Sequence, residues 1–223
     1  MGNEIERIES ILEDACKELR KSADVLWPTL TDSSDIHESN LTLYIGHSFL
    51  NANYFAFVEV NLPEEEEHEE EEVDEEEKKY KRLDLLAVDK NKSFLIGLQA
   101  KKFEQEGAVK MIRKEIKYSI KKYVKGLTEY PNYKDYKNAQ KYGIYVISFW
   151  KINNSDKKYL DWWNNMSENF KKPQKCPSDQ YNKLTNLVLK ELKNGAKKGS
   201  ILITDNTKDG SEWYLLYLIF PLQ

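Results

Sequence analysis

RLDLLAVDKNKSFLIGLQAKKF, from Arg82 to Phe103, reads as two apolar strands, 82–89 and 93–102, joined by the turn Asp89-Lys90-Asn91-Lys92. Asp84 interrupts the first strand, and Gln99 and Lys101 close the second. An isolated polar residue in a buried strand is costly unless it is paired or used. Side chains two apart on a strand share a face, so Gln99 and Lys101 point together while Leu98 and Ala100 point away. Pairing of the two strands brings Asp84 to the same place. A carboxylate, an amide oxygen and an ammonium gathered there suit a divalent cation and a water beside a phosphate. Asp84 and Gln99 would give oxygens to Mg²⁺ or Mn²⁺; Mg²⁺ is a hard cation that needs only one or two protein ligands. Lys101 would orient or help deprotonate the attacking water and offset charge on the phosphoryl group. The metal would acidify that water and stabilise the leaving oxygen.

Outward from this pair, residues 53–62 form a strand by β-branched and aromatic content. Before it, residues 36–50 read as a short helix with Leu41, Ile45, Phe49 and Leu50 inward, and residues 4–22 as a longer one with Ile5, Ile8, Leu12, Ala15 and Leu19 on one face. After it, residues 108–127 switch to helical period, with Val109, Ile112, Ile116, Ile120 and Val124 as the apolar stripe. The run YGIYVISFW, 142–150, is nearly all apolar, which suits a strand buried on both faces. Two helical patterns, 156–170 and 179–194, precede a closing hairpin of 200–205 and 212–220. Three strands, a helix and one more buried strand imply a mixed α/β fold (α+β in character), a mixed central sheet flanked by helices on both faces. No repeat or linker divides residues 1–223, so one domain is expected.

Charge is unevenly spread. Twelve acidic residues crowd Glu64 to Glu77, and the net charge of −4 for the whole chain becomes +8 without them. Such a run cannot build a core, so 63–79 is expected to be a flexible, disordered acidic insertion between the first two strands. The basic remainder suits a polyanion. Lys110, Lys114, Lys117 and Lys121 fall along one line of the helix at 108–127, a spacing that suits contact with a phosphate backbone more than base readout.

Asp84, Gln99 and Lys101, in this order of elements, resemble the PD-(D/E)xK nuclease superfamily, whose fold is restriction-endonuclease-like. The resemblance covers residues 36–150, about half of the chain. It implies a core of helix, three antiparallel strands, helix and strand, and a catalytic set of Asp84, Gln99 and Lys101. It adds an assisting Glu38 on the preceding helix, with Glu59 as the weaker substitute. Leu83 stands where the family name has Pro, and Gln99 where Asp or Glu is usual. The Gln-x-x-x-Tyr helix motif of one branch is not evident, since Ser119 stands four before Tyr123.

The expected activity is therefore metal-dependent cleavage of a DNA phosphodiester. The alternative is a nuclease-fold protein of weak or no activity that binds nucleic acid or protein. DNA is the expected partner, a homodimer is compatible, and the acidic loop suits a basic partner. No apolar run approaches the ~18 residues a membrane helix needs, and the two cysteines suggest no disulfide scaffold, which favours the cytoplasm. His37, His47 and His68 lack metal-ligand spacing. No Walker loop, dinucleotide-binding glycine set, zinc cysteine pair or nucleophile elbow is present. Of the adjacent Trp162 and Trp163, one should enter the core and the other be partly exposed.

Overall fold

The computed structural model describes residues 2–26, 38–61, 82–103, 112–114, 116, 120, 121, 124, 126–129, 131–152, 154–167, 179–206 and 211–222. The acidic stretch 63–79 and residues Val109, Lys110 and Lys117 lie outside them. The elements run α1 (Gly2–Leu26), α2 (Glu38–Asn51), β1 (Tyr54–Asn61), β2 (Arg82–Asp89), β3 (Phe94–Lys102), a segment within 112–126 whose described residues (112–114, 116, 120, 121, 124 and 126) are helical, β4 (Gln140–Lys151), α3 (Lys157–Asn165), α4 (Asp179–Lys193), β5 (Lys197–Asn206) and β6 (Ser211–Leu222). One six-stranded sheet holds them in the order β1-β2-β3-β4-β6-β5. Only β3 and β4 run parallel; the other neighbours are antiparallel. This is the mixed sheet flanked by helices that the apolar periods predict.

Two apolar layers sandwich the sheet. On the first face, α1 and α2 bury Ile8, Leu12, Ala15, Leu41, Ile45 and Phe49 against Leu85, Ile96, Leu98, Ile144 and Trp213. On the second, the segment 112–126 with α3 and α4 covers Leu86, Leu95, Tyr145, Ile147 and Leu218. β4 feeds both layers, Ile144 and Val146 to one and Tyr145 and Ile147 to the other, which is why its sequence shows no alternation. Asp89 ends β2 structurally: its carboxylate accepts the amides of Asn91, Ser93 and Phe94 at 3.2, 2.6 and 2.7 Å. Two tyrosines fasten α1 to the sheet, Tyr54 donating to Glu4 and Tyr217 to Glu9. Burial, then the facing carboxylate, raises both phenols well above their usual range.

Three expectations change. Leu50 is 51% exposed rather than inward. It follows Phe49, and one residue turns the helix by about 100°, so a stripe through Leu41, Ile45 and Phe49 leaves it on the flank. The helix expected at 156–170 ends at Asn165, because Met166 turns to extended backbone (φ −65°, ψ 119°) and drops its side chain into the second layer. The stripe Ile112, Ile116, Ile120, Val124 is buried as expected, but positions 116, 120, 121 and 124 have π-helical geometry. Every fourth residue drifts by about 40° around an ideal α-helix, and wider turns hold such a row over the sheet.

Trp163 is buried and donates Nε1–H to Gly199 O at 2.9 Å, while Trp162 is half-buried and donates to Thr185 Oγ1 at 3.0 Å. The last turn of α3 receives Lys198, whose Nζ donates to Trp163 O at 2.6 Å and Asn164 O at 3.2 Å. Burial lowers its pKa from 10.5 to about 8. Between those values the unfolded chain binds the additional proton, so this group makes stability rise as pH rises from about 8 toward 10.5. Urea unfolding at pH 8 and pH 10 should show a gain in the wild type that Lys198→Met lacks. Equal pH dependence in both proteins would reject this assignment.

Candidate active site

The site forms where β2 and β3 lose their regular pairing. Their ladder runs from Val88↔Leu95 to Leu85↔Leu98. At the next position the Asp84 side chain takes over: its Oδ2 accepts Ala100 N–H at 2.7 Å. Leu85 belongs to the first layer, yet Leu83, two residues earlier, is buried in the second. The alternation of β2 therefore breaks at Asp84, and the carboxylate lies between the strands. On the other side of β2, the ladder with β1 passes from Val58↔Leu85 to Val60↔Leu83, and the intervening Glu59 has φ 55°. A left-handed conformation costs a non-glycine residue about 1–2 kcal/mol. That strain sits one strand away from Asp84. The Glu59 carboxylate meets Arg82 at 2.6 Å with both side chains at least half exposed, so the pair adds little stability.

Asp84 on Ala100 N fixes the carboxylate beside the peptide that links Gln99 to Ala100. On β3, Leu95 belongs to the second layer and Ile96, Leu98 and Ala100 to the first. Gln99 and Lys101 thus stand on the second face, next to Tyr145 and Ile147 of β4 by parallel register. Gln99 is buried, and its Oε1 has no hydrogen-bond partner among the described residues. An unsatisfied buried acceptor costs roughly 1–3 kcal/mol. A cation or a polarised water beside this oxygen would remove that penalty, and a hard cation that keeps most of its waters accepts an amide oxygen as a ligand. Lys101 and Asp84 are both half-buried.

The other expected residues are distributed as follows. Glu38 begins α2, a helix whose Leu41, Ile45 and Phe49 pack on the first face. Lys114 is half-buried in the segment over the second face. Lys121 pairs with Glu191 of α4, a carboxylate only 2% exposed, and its Nζ lies 5.8 Å from the centroid of the Phe220 ring. Lys110 and Lys117 lie outside the described residues.

Sequence reasoning missed Glu191. A signal was present: Leu184, Val188 and Glu191 follow helical spacing, so Glu191 stands on the buried stripe of α4. No group of three His, Cys, Asp or Glu able to hold a metal occurs among the described residues, and a site of one Asp and one Gln falls below that count.

No protein-family model, curated protein or solved structure matches this chain. The functional reading therefore rests on the geometry at Asp84, Gln99 and Lys101. No helix among the described residues is long and apolar enough to cross a membrane.

Proposed function

We propose that this chain is a metal-dependent phosphodiester hydrolase acting on DNA, with a restriction-endonuclease-like core of the PD-(D/E)xK type. The observation that carries the reading is the Asp84 carboxylate anchored on Ala100 N–H, at the peptide next to a buried Gln99 oxygen that has no partner among the described residues. The order α2, β1, β2, β3, segment 112–126, β4, with β3 parallel to β4, supports the core. Asp84 and Gln99 would hold Mg²⁺ or Mn²⁺. That ion, when bound, would acidify a water and stabilise the leaving oxygen. Lys101, on the same face as Gln99, sets a positive charge toward the phosphoryl group and orients the attacking water. Lys114 on the basic helix would hold the phosphate backbone, while Glu38 begins α2, which packs on the other face of the sheet from Gln99 and Lys101, and takes no step. The cytoplasm is the proposed compartment, since Cys16 is a free, buried thiol pushed by burial up to about 12.

Purified protein should nick supercoiled plasmid in Mg²⁺ or Mn²⁺ and stop when the metal is chelated. Lys101→Ala should slow nicking about a hundredfold or more with an unchanged circular dichroism spectrum. Asp84→Asn keeps an oxygen for Ala100 N–H but loses the charge, so titration calorimetry should show weakened Mn²⁺ binding. Protein that binds neither ion and cuts neither DNA nor RNA would defeat the proposal. It would favour the second reading, a non-catalytic nucleic-acid- or protein-binding module. Gln99 supports that alternative, because a neutral amide holds a divalent ion more weakly than a carboxylate does.

A further inference from the structure

The two edges of the sheet are treated differently. At β5, Arg20 of α1 donates to Ile203 O at 2.5 Å and Leu202 O at 3.3 Å, and a register shift between Leu202 and Thr204 interrupts the strand. Cationic cover and irregularity are common ways of blunting an edge against further pairing. At β1, no such cover occurs among the described residues. Instead Phe55, Phe57 and Val58 are 47%, 52% and 47% exposed, and Leu43 and Leu50 of the adjoining α2 are exposed as well. Five of the seven exposed large apolar side chains among the described residues thus lie on two consecutive elements. An apolar edge strand of eight residues is a template for another strand, and here it exposes Phe55 and Phe57 on one face and Val58, beside α2, on the other.

We propose that β1 is the seam along which two copies of this chain pair, antiparallel, about a two-fold axis, joining their sheets into one. The occupant is fixed by charge and by self-complementarity. Lys90 lies over the Phe55 ring, 5.7 Å from its centroid, at the end of the edge where β1 begins. Glu59 lies near the other end, paired at the surface with Arg82 of its own chain through side chains at least half exposed, so its carboxylate stays open to a second cation. Antiparallel pairing of two copies crosses these ends, so each Lys90 approaches the partner's Glu59; parallel pairing would bring like charges together. A two-fold at Ala56 sets Phe55 opposite the partner's Phe57, and Phe57 opposite the partner's Phe55. Cross-strand aromatic pairs of this kind stabilise sheets, and the same patch serves both partners, as a closed two-fold interface requires.

The test is the mass of the full chain by light scattering and sedimentation equilibrium, over a concentration series from the micromolar range upward. The expected result is twice the chain mass. Phe57→Lys should give a monomer with an unchanged circular dichroism spectrum. Lys90→Glu should weaken the dimer about tenfold, and Lys90→Glu combined with Glu59→Lys and Arg82→Glu, which keeps the pair within each chain, should restore it. A wild-type chain that stays monomeric at all concentrations would overturn the proposal. So would a dimer indifferent to Phe57→Lys, or a charge exchange that fails to rescue. None of these readouts depends on the metal site.

Discussion

Gly143→Ala should lower stability by about 3 kcal/mol, near the top of the range for overpacking a core. Gly97 and Gly143 are register partners on the parallel strands β3 and β4. A Cβ on Gly143 would collide with Ile120 Cγ2 and with the Phe220 ring, and one on Gly97 with Val124 Cγ2. The two glycines make a flat place on the sheet where Ile120 and Val124 of the helical segment sit directly on backbone. Removing a glycine also restricts the unfolded chain, a gain of only about 0.4–1 kcal/mol. At Gly143 the obstacles are a β-branched side chain and an aromatic ring wedged between layers, so the clash wins. Thermal unfolding should drop by roughly 6–12 °C for a domain of this size. Gly97→Ala should cost less, about 2 kcal/mol, because only the end of Val124 must move. Unfolding curves within error of the wild type for both variants would show that the segment does not rest on this seam.

Lys121→Met should destabilise by about 3 kcal/mol, because it strands Glu191 as a buried charge. Glu191 is 2% exposed, while Lys121 is one-third exposed and also lies over the Phe220 ring. The asymmetry predicts the order of effects. Glu191→Leu leaves a lysine that can still reach water along its stem, at about 1 kcal/mol. The double change Lys121→Met, Glu191→Leu should recover most of the loss, since an apolar pair of similar volume replaces a buried ion pair at little net cost. Chemical denaturation of the three variants measures the coupling. Additive effects would mean that the two side chains do not act as a pair.

That lysine also shows the limit of one-dimensional reading. Lys110, Lys114, Lys117 and Lys121 form a line by spacing, and a line of lysines suggests a solvent-facing surface. Lys121 instead belongs to an ion pair with a residue seventy positions away. The identity of the partner is invisible until α4 is laid beside the helical segment. Leu50 carries the same lesson on a smaller scale: its polarity suits the core, but its angle around α2 does not.

The candidate site was legible in part. Asp84, Gln99 and Lys101 stood out because polar residues inside apolar strands violate the local pattern, and two-residue spacing alone places Gln99 and Lys101 on one face. The capture of Ala100 N–H by Asp84, the left-handed Glu59 and the burial of the Gln99 oxygen without a partner among the described residues were not legible. Each depends on how the ladders of β1, β2 and β3 fall out of step, and a break in register is a property of neighbouring strands together.

By itself the sequence determined which segments become helices and strands, and which side of most of them is apolar, because those periods are written in residues a few positions apart. The tertiary structure decided which charges are paired, where two glycines let helical residues lie flush on the sheet, and which strands end the sheet. Those outcomes depend on close approach between residues tens of positions apart, and distance in space is set only when the layers close on one another.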